Sequence, residues 1–315
     1  MLCLNEAVNK AMTRLESLGF ESYVVGGSIR DILLDLNPAD WDIATDANPF
    51  QIIEVFKEER KNLSGIKFGT VSVMIDNISI DITTYRTEGE YKDFRHPREV
   101  LFSSSLFEDM KRRDFTVNAL AYNRKDGIID YFGGLDDISS GVIKCVGDPS
   151  KKFAEDALRI IRAFRFASEL DFKIDEHTLK YATEKMHLLN EISVDRIQFE
   201  ATKLIMGKGT DKVMADYPEI VFSVIPELKP LKTMSQYEDI PNFSVWDHVV
   251  KVINNSPNEP HIRWAALLHD IGKHYIVPEG NSARERYKEH AEKSAEIADI
   301  ILSRLNFKKS LKKKI

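Results

Sequence analysis

Leu4, Val8, Ala11, Met12, Leu15 and Leu18 recur every three or four positions, which predicts an amphipathic helix ended by Gly19. Tyr23, Val24 and Val25 then predict a short buried strand that stops at Gly26-Gly27, followed by a helix carrying Ile29, Ile32, Leu33 and Leu36. Runs rich in β-branched and aromatic residues at 70–75, 79–85 and 127–131 predict further strands, with Asp76-Asn77 as the turn between the first two. Beyond Pro149 the period becomes helical and stays so, over 153–170, 176–185, 194–206 and 291–305. Pro218, Pro226, Pro230 and Pro241 punctuate a second boundary. The pattern predicts an α+β fold: a mixed head over 1–145, a helical neck over 146–215 and a helical body over 216–315.

Composition narrows the class. Of 315 residues 43% are hydrophobic and 30% charged, which fits a globular chain of more than one domain. No apolar run approaches the roughly eighteen residues of a membrane span, and Asn5, Glu6, Asn9 and Lys10 interrupt any signal-peptide core. Two cysteines, Cys3 and Cys145, exclude a disulfide scaffold, so the expectation is a cytoplasmic protein. A net charge of −6 excludes coating of nucleic acid by bulk positive charge. It leaves room for local clusters: Lys111-Arg112-Arg113, Lys151-Lys152, the trio Arg159, Arg162 and Arg165, and the lysines of 308–314.

Three groups of residues carry candidate chemistry. Asp40 and Asp42, two apart on a predicted strand, share one face while Trp41 points away, an arrangement of hard oxygen donors suited to Mg²⁺. Gly26-Gly27-Ser28, at a strand-to-helix turn, lets backbone approach a phosphate, and Arg30 follows one turn later, free to reach a triphosphate or to pair with Asp31 or Asp35. Asp81, inside an apolar strand, reads equally as a third site carboxylate or as part of a solvated face. In the third group, Asp156 and Arg159 are three apart on the predicted helix 153–170, so both could meet one ligand. An acceptor-only beside a donor-only side chain complements cytosine and adenine and opposes guanine and uracil.

In order along the chain, these segments resemble the class II tRNA nucleotidyltransferase family of CCA-adding enzymes and bacterial poly(A) polymerases. The matching motifs are Gly26-Gly27-Ser28-Ile29-Arg30-Asp31 with Asp40-Trp41-Asp42, Arg112-Arg113-Asp114-Phe115-Thr116-Val117-Asn118-Ala119, Asp130-Tyr131-Phe132-Gly133-Gly134, and Glu155-Asp156-Ala157-Leu158-Arg159 continuing through Arg162 to Arg165. The resemblance implies a polymerase-β-like head and a helical neck that holds the nucleotide. It also implies transfer of CTP and ATP to the 3′ end of tRNA with release of pyrophosphate, on Mg²⁺ held by Asp40 and Asp42. Gly27, Arg30 and Arg113 are its nucleotide contacts, and Asp156, Arg159, Arg162 and Arg165 its base pocket. A charged stretch at 88–97 corresponds to the family's loop for switching to ATP. A-only addition and poly(A) synthesis remain alternatives within the family.

His248 and His269-Asp270-Ile271-Gly272-Lys273 resemble an HD-domain signature, with His290 as a further ligand, but Asp299 does not suit the closing position. The expectation is an HD-type fold serving as an RNA-binding body, with metal-dependent phosphohydrolysis as the competing reading. A non-catalytic RNA-binding module is the remaining class. Relatives of the family extend further, into a tRNA-gripping tail, whereas this sequence ends at Ile315.

Overall fold

The computed structural model describes residues 2–88, 100–236, 243–276 and 289–315. They form two compact units, Met1–Asp156 and Ala157–Ile315.

Unit 1 begins with α1 (Glu6–Ser17), whose first turn is capped by the Asn5 side chain accepting from Ala7 N–H. Next come β1 (Ser22–Val25), α2 (Gly27–Leu33), β2 (Trp41–Thr45), α3 (Pro49–Val55), β3 (Arg60–Asn62), β4 (Thr70–Ile75) and β5 (Ile78–Thr84). The unit is completed by β6 (Arg86–Glu88), β7 (Val100–Phe102), α4 (Leu106–Lys111), β8 (Leu120–Asn123), β9 (Gly127–Asp130), α5 (Gly134–Ser140) and α6 (Pro149–Glu155). Seven strands form one mixed sheet in the order β3-β4-β5-β2-β1-β8-β9, in which only β2 and β5 run parallel, and β6 pairs with β7 separately. Tyr23, Val25, Ala44 and Ala121 pack on one sheet face with Leu106 and Met110 of α4. Val24 and Ile43, one residue out of step, are fully buried on the other.

Unit 2 is helical: α7 (Leu158–Leu170), α8 (Glu176–Glu184), α9 (Val194–Met206), α10 (Thr210–Asp216), α11 (Pro218–Val224), α12 (Val245–Asn254), α13 (Pro260–Leu268), α14 (His290–Arg304) and α15 (Lys309–Lys312). Two buried tryptophans organise it without leaving a donor unpaired. Trp246 Nε1–H donates to the Met214 carbonyl at 3.1 Å and Trp264 Nε1–H to Thr202 Oγ1 at 3.0 Å. A capping box between Ser244 and Asp247 starts α12.

Most expected elements are present within a residue or two. Two corrections matter for the site. The helix expected over 153–170 is two helices: Asp156 ends α6 in an extended conformation (φ −135°, ψ 103°), so Asp156 and Arg159 do not share a helix. Asp40 precedes β2 instead of lying within it. The stretch at 88–97 falls, from residue 89 on, outside the described residues. No helix of the described residues is long and apolar enough to cross a membrane.

Candidate active site

The parallel pairing of β2 with β5 sets Asp42 directly opposite Asp81, and the antiparallel pairing with β1 sets Asp42 opposite Val25, the last residue before the glycine turn. Partners in register project to the same face, so two carboxylates converge there. Asp40 is exposed and two residues upstream. Burial pushes the Asp42 carboxyl up to about 6; the Arg113 guanidinium opposes this, whereas the charges of Asp81 and Asp40 reinforce it. Asp81, which the sequence left open, belongs to the cluster. A cleft of about 760 Å³ opens at the start of β2, lined by Asp35, Asn37, Asp40, Trp41, Asn77 and Ser79 but not by Asp42 or Asp81.

Gly26 sits at the hinge of this arrangement. Its φ of +80° and ψ of −143° suit only glycine. A Cβ there would lie 2.9 Å from Arg113 Nη1 and 3.7 Å from Asp42 Oδ2, so the missing side chain lets guanidinium and carboxylate close over the turn. Arg30 is 8% exposed and committed: it donates through Nη1 to Asn118 Oδ1 at 2.5 Å and through Nη2 to Asp31 at 2.6 Å. Its guanidinium would touch a Cβ on Gly27. Asn118 in turn donates to Asp114 at 3.2 Å. The first and second motifs are thereby one hydrogen-bonded unit.

Sequence reasoning missed the residues that support this set. Asp109, 1% exposed, receives Arg112 at 2.8 Å and Arg113 at 3.4 Å. Burial alone would raise its pKa, but the two guanidinium groups overcome that and hold it below the carboxylate norm. Its spacing of three and four from the arginines on a helix was the available signal. Arg113 Nε remains buried without a hydrogen-bond partner. Asp130 accepts from the N–H groups of Phe132, Gly134 and Leu135, while Thr116 donates to Asp137 at 2.6 Å. The third motif meets the second at Gly134, where a Cβ would collide with the Thr116 carbonyl.

The donor set fits a hard divalent cation. Asp42 and Asp81 are adjacent carboxylates, the first drawn toward its charged form by Arg113 and Arg112, and oxygen-only ligands with an exposed neighbour in Asp40 suit Mg²⁺.

In unit 2, Arg159 lies buried in the first turn of α7, with Arg165 buried further along and Arg162 half-buried. Glu200 of α9, another residue the sequence did not single out, forms an ion pair with Arg165 Nε at 3.1 Å, without hydrogen-bond geometry, and accepts from Arg162 Nη1 at 3.5 Å. A separate cluster forms at the HD-like motif. Ligand atoms of His248, His269 and Asp270 lie within 4.8 Å of one another, and His290 Nε2 is 3.4 Å from Asp270 Oδ1. His269 Nδ1 faces the Ala266 carbonyl at 2.8 Å, which directs the Nε2 lone pair into the cluster. Lys273 Nζ, 2.7 Å from Asp270, supplies a cation where a closing carboxylate was sought, and Asp299 pairs with Lys312 instead.

Three family models match in chain order: "Poly A polymerase head domain" over residues 22–144, "Probable RNA and SrmB- binding site of polymerase A" over 171–217, and "HD domain" over 243–314. The CCA-adding enzyme of Enterococcus faecalis is 46% identical over 216 residues, 68% of this chain and 53% of that protein. That of Anoxybacillus flavithermus is 42% identical over 246 residues, 76% of this chain and 62% of that protein. The chain thus spans little more than half the length of these curated relatives. The crystal structure of the Bacillus stearothermophilus CCA-adding enzyme in complex with CTP superposes with a TM-score of 0.68 at 31% identity, covering 96% of this chain and 70% of that one. With motifs, head sheet and domain order all in agreement, the chain belongs to the class II tRNA nucleotidyltransferase and poly(A) polymerase family.

Proposed function

We propose that the protein is a template-independent RNA nucleotidyltransferase that adds C and A, as CCA, to the 3′ end of tRNA. The carrying observation is the pairing of Asp42 with Asp81 across two parallel strands, beside the Gly26 turn and Arg113. In the reaction the terminal 3′-hydroxyl oxygen bonds to the α-phosphorus of CTP or ATP. The bond to the β-phosphate oxygen breaks, and pyrophosphate leaves. Asp40, Asp42 and Asp81 are the residues that would hold Mg²⁺. When bound, Mg²⁺ supplies Lewis-acid stabilisation of the phosphate oxygens and makes the attacking hydroxyl more acidic.

The chain's own residues supply position and charge. Arg113, whose Nη1 lies over the Gly26 turn and whose charge acts on Asp42, meets the charge of the triphosphate, and Asp109 fixes its direction. Gly27 leaves room for the Arg30 guanidinium, which ties the turn to Asn118, and the family resemblance assigns that turn to a phosphate. Asp156 and Arg159 read the base by their complementary acceptor and donor sets, with Arg162 and Arg165 completing the pocket.

The test is incorporation of each NTP, with Mg²⁺, into tRNA transcripts ending before CCA, after C and after CC. Addition of C, C and A, then arrest, supports the reading. A-only addition or long A tracts would reassign the enzyme within its family. Loss by at least about 100-fold in Asp81→Asn, with a raised Mg²⁺ requirement, is expected if the third carboxylate serves the site.

A second reading concerns unit 2. The convergence of His248, His269, Asp270 and His290 supports metal-dependent hydrolysis of a phosphate ester there. Metal-dependent release of phosphate from a generic aryl phosphodiester, lost in His269→Ala and kept in Asp42→Asn, tests it.

A further inference from the structure

We infer that Glu200 is a positioning residue for nucleotide selection, fixing Arg162 and Arg165 from the neighbouring helix. The inference rests on the proposed role of those arginines in the base pocket. Glu200 is 3% exposed. One oxygen lies 3.1 Å from Arg165 Nε and the other 3.5 Å from Arg162 Nη1, so a single carboxylate holds two cations of α7. Phe166 packs beneath both: its ring centroid is 3.8 Å from the Arg165 guanidinium and 5.1 Å from that of Arg162. Glu169 reaches Arg165 as well, at 3.6 Å.

The two arginines are not equivalent. The Arg165 side chain is 6% exposed, sealed between Glu200, Glu169 and Phe166, whereas that of Arg162 is 29% exposed. A buried carboxylate needs one cation to offset its desolvation. The two arginines face two glutamates, and Arg162 is the more open cation of the set, the one a nucleotide can meet. Arginine is long and rich in rotamers, so a pocket that rejects a wrong base must restrain it in advance. Glu200 and Phe166 together supply that restraint. A loosened Arg162 would still be cationic, and would bind nucleotide less tightly and less selectively without altering the carboxylates of unit 1.

Glu200→Gln and Glu200→Asp test this in steady-state incorporation of CTP, ATP, UTP and GTP, with thermal unfolding measured alongside. Glu200→Asp keeps the charge and withdraws it by one methylene, so it preserves a folded protein if the glutamine variant does not. The expected result is a KM for CTP and ATP raised about tenfold, kcat within about threefold, and a selectivity against UTP reduced by a similar factor. In an Arg162→Gln background the same substitution adds little, because it acts through that side chain. Unchanged KM and selectivity in a folded Glu200→Asp variant, or a fall in kcat at constant KM, would overturn the inference while wild-type incorporation stands. Absence of incorporation by wild type would instead overturn the parent reading, and this one with it.

Discussion

At Asp42 a single side chain records the conflict between fold and function. The sheet holds it half-buried opposite another carboxylate, and its acid form is favoured until about pH 6. A folded-state pKa above the unfolded value of about 3.8 means the native state binds the proton more tightly. The contribution of Asp42 to stability therefore falls as pH rises from 4 to 6, roughly, and the full cost is present above that window. Asp42→Asn removes the cost. In metal-free protein at pH 7.5 it should stabilise the fold by at most about 3 kcal/mol, the gain shrinking as pH falls toward 4. Denaturant melts across that range check the sign. The same variant should lose incorporation by about 1,000-fold or more, and Mg²⁺ should raise the melting temperature of wild type only. A variant less stable than wild type at pH 7.5 would show that Asp42 is structural.

At the scale of elements, the glycine turn between β1 and α2 decides whether the site can form. Gly26→Ala places a methyl 2.9 Å from Arg113 and strains a conformation that only glycine adopts. It should cost about 1–3 kcal/mol and displace Arg113 from Asp42. Thermal unfolding together with the KM for nucleotide measures both, and an unaffected KM would separate the turn from triphosphate binding. The turn was legible in the sequence, because a glycine pair constrains local geometry, whereas the strand pair read from a period of two, Asp40 with Asp42, was not formed, since Asp40 precedes β2. Asp81 was half legible: its strand could be read, but the parallel register that sets it against Asp42 is a long-range fact. Asp109 and Glu200 were hidden for the same reason, since a buried acid is recognised by its partners. The break at Asp156 was masked by apolar residues on both sides that keep a helical period. Only the extended backbone at Asp156 reveals where one helix yields to the next.

At the scale of the whole molecule, two sets of candidate metal ligands occur among the described residues, in separate units and with no residue shared. Unit 1 offers carboxylate oxygens, which suit Mg²⁺; unit 2 offers imidazole nitrogens with one carboxylate, which suit Mn²⁺, Ni²⁺ or Zn²⁺. The second set also has a protonation bias. Burial alone would lower the pKa of His269, but its bond to Asp270 outweighs this and raises it, while burial lowers that of His248. Lys273 lies against the same carboxylate. Metal uptake there must expel the His269 proton and work against the lysine, so affinity should rise with pH through and above the ordinary imidazole range and protons should be released. Calorimetry in two buffers of different ionisation enthalpy counts those protons. Wild type should take up Ni²⁺ with a stoichiometry near one, Asp42→Asn should match it, and His269→Ala should lose it by roughly 100-fold in affinity. His269→Ala should leave Mg²⁺-dependent incorporation within about twofold, because independent sites contribute additively. If His269→Ala abolished incorporation in a folded protein, the two units would be coupled. If Ni²⁺ uptake survived it, the imidazole cluster would be a polar core of the helical unit with Lys273 as its resident cation.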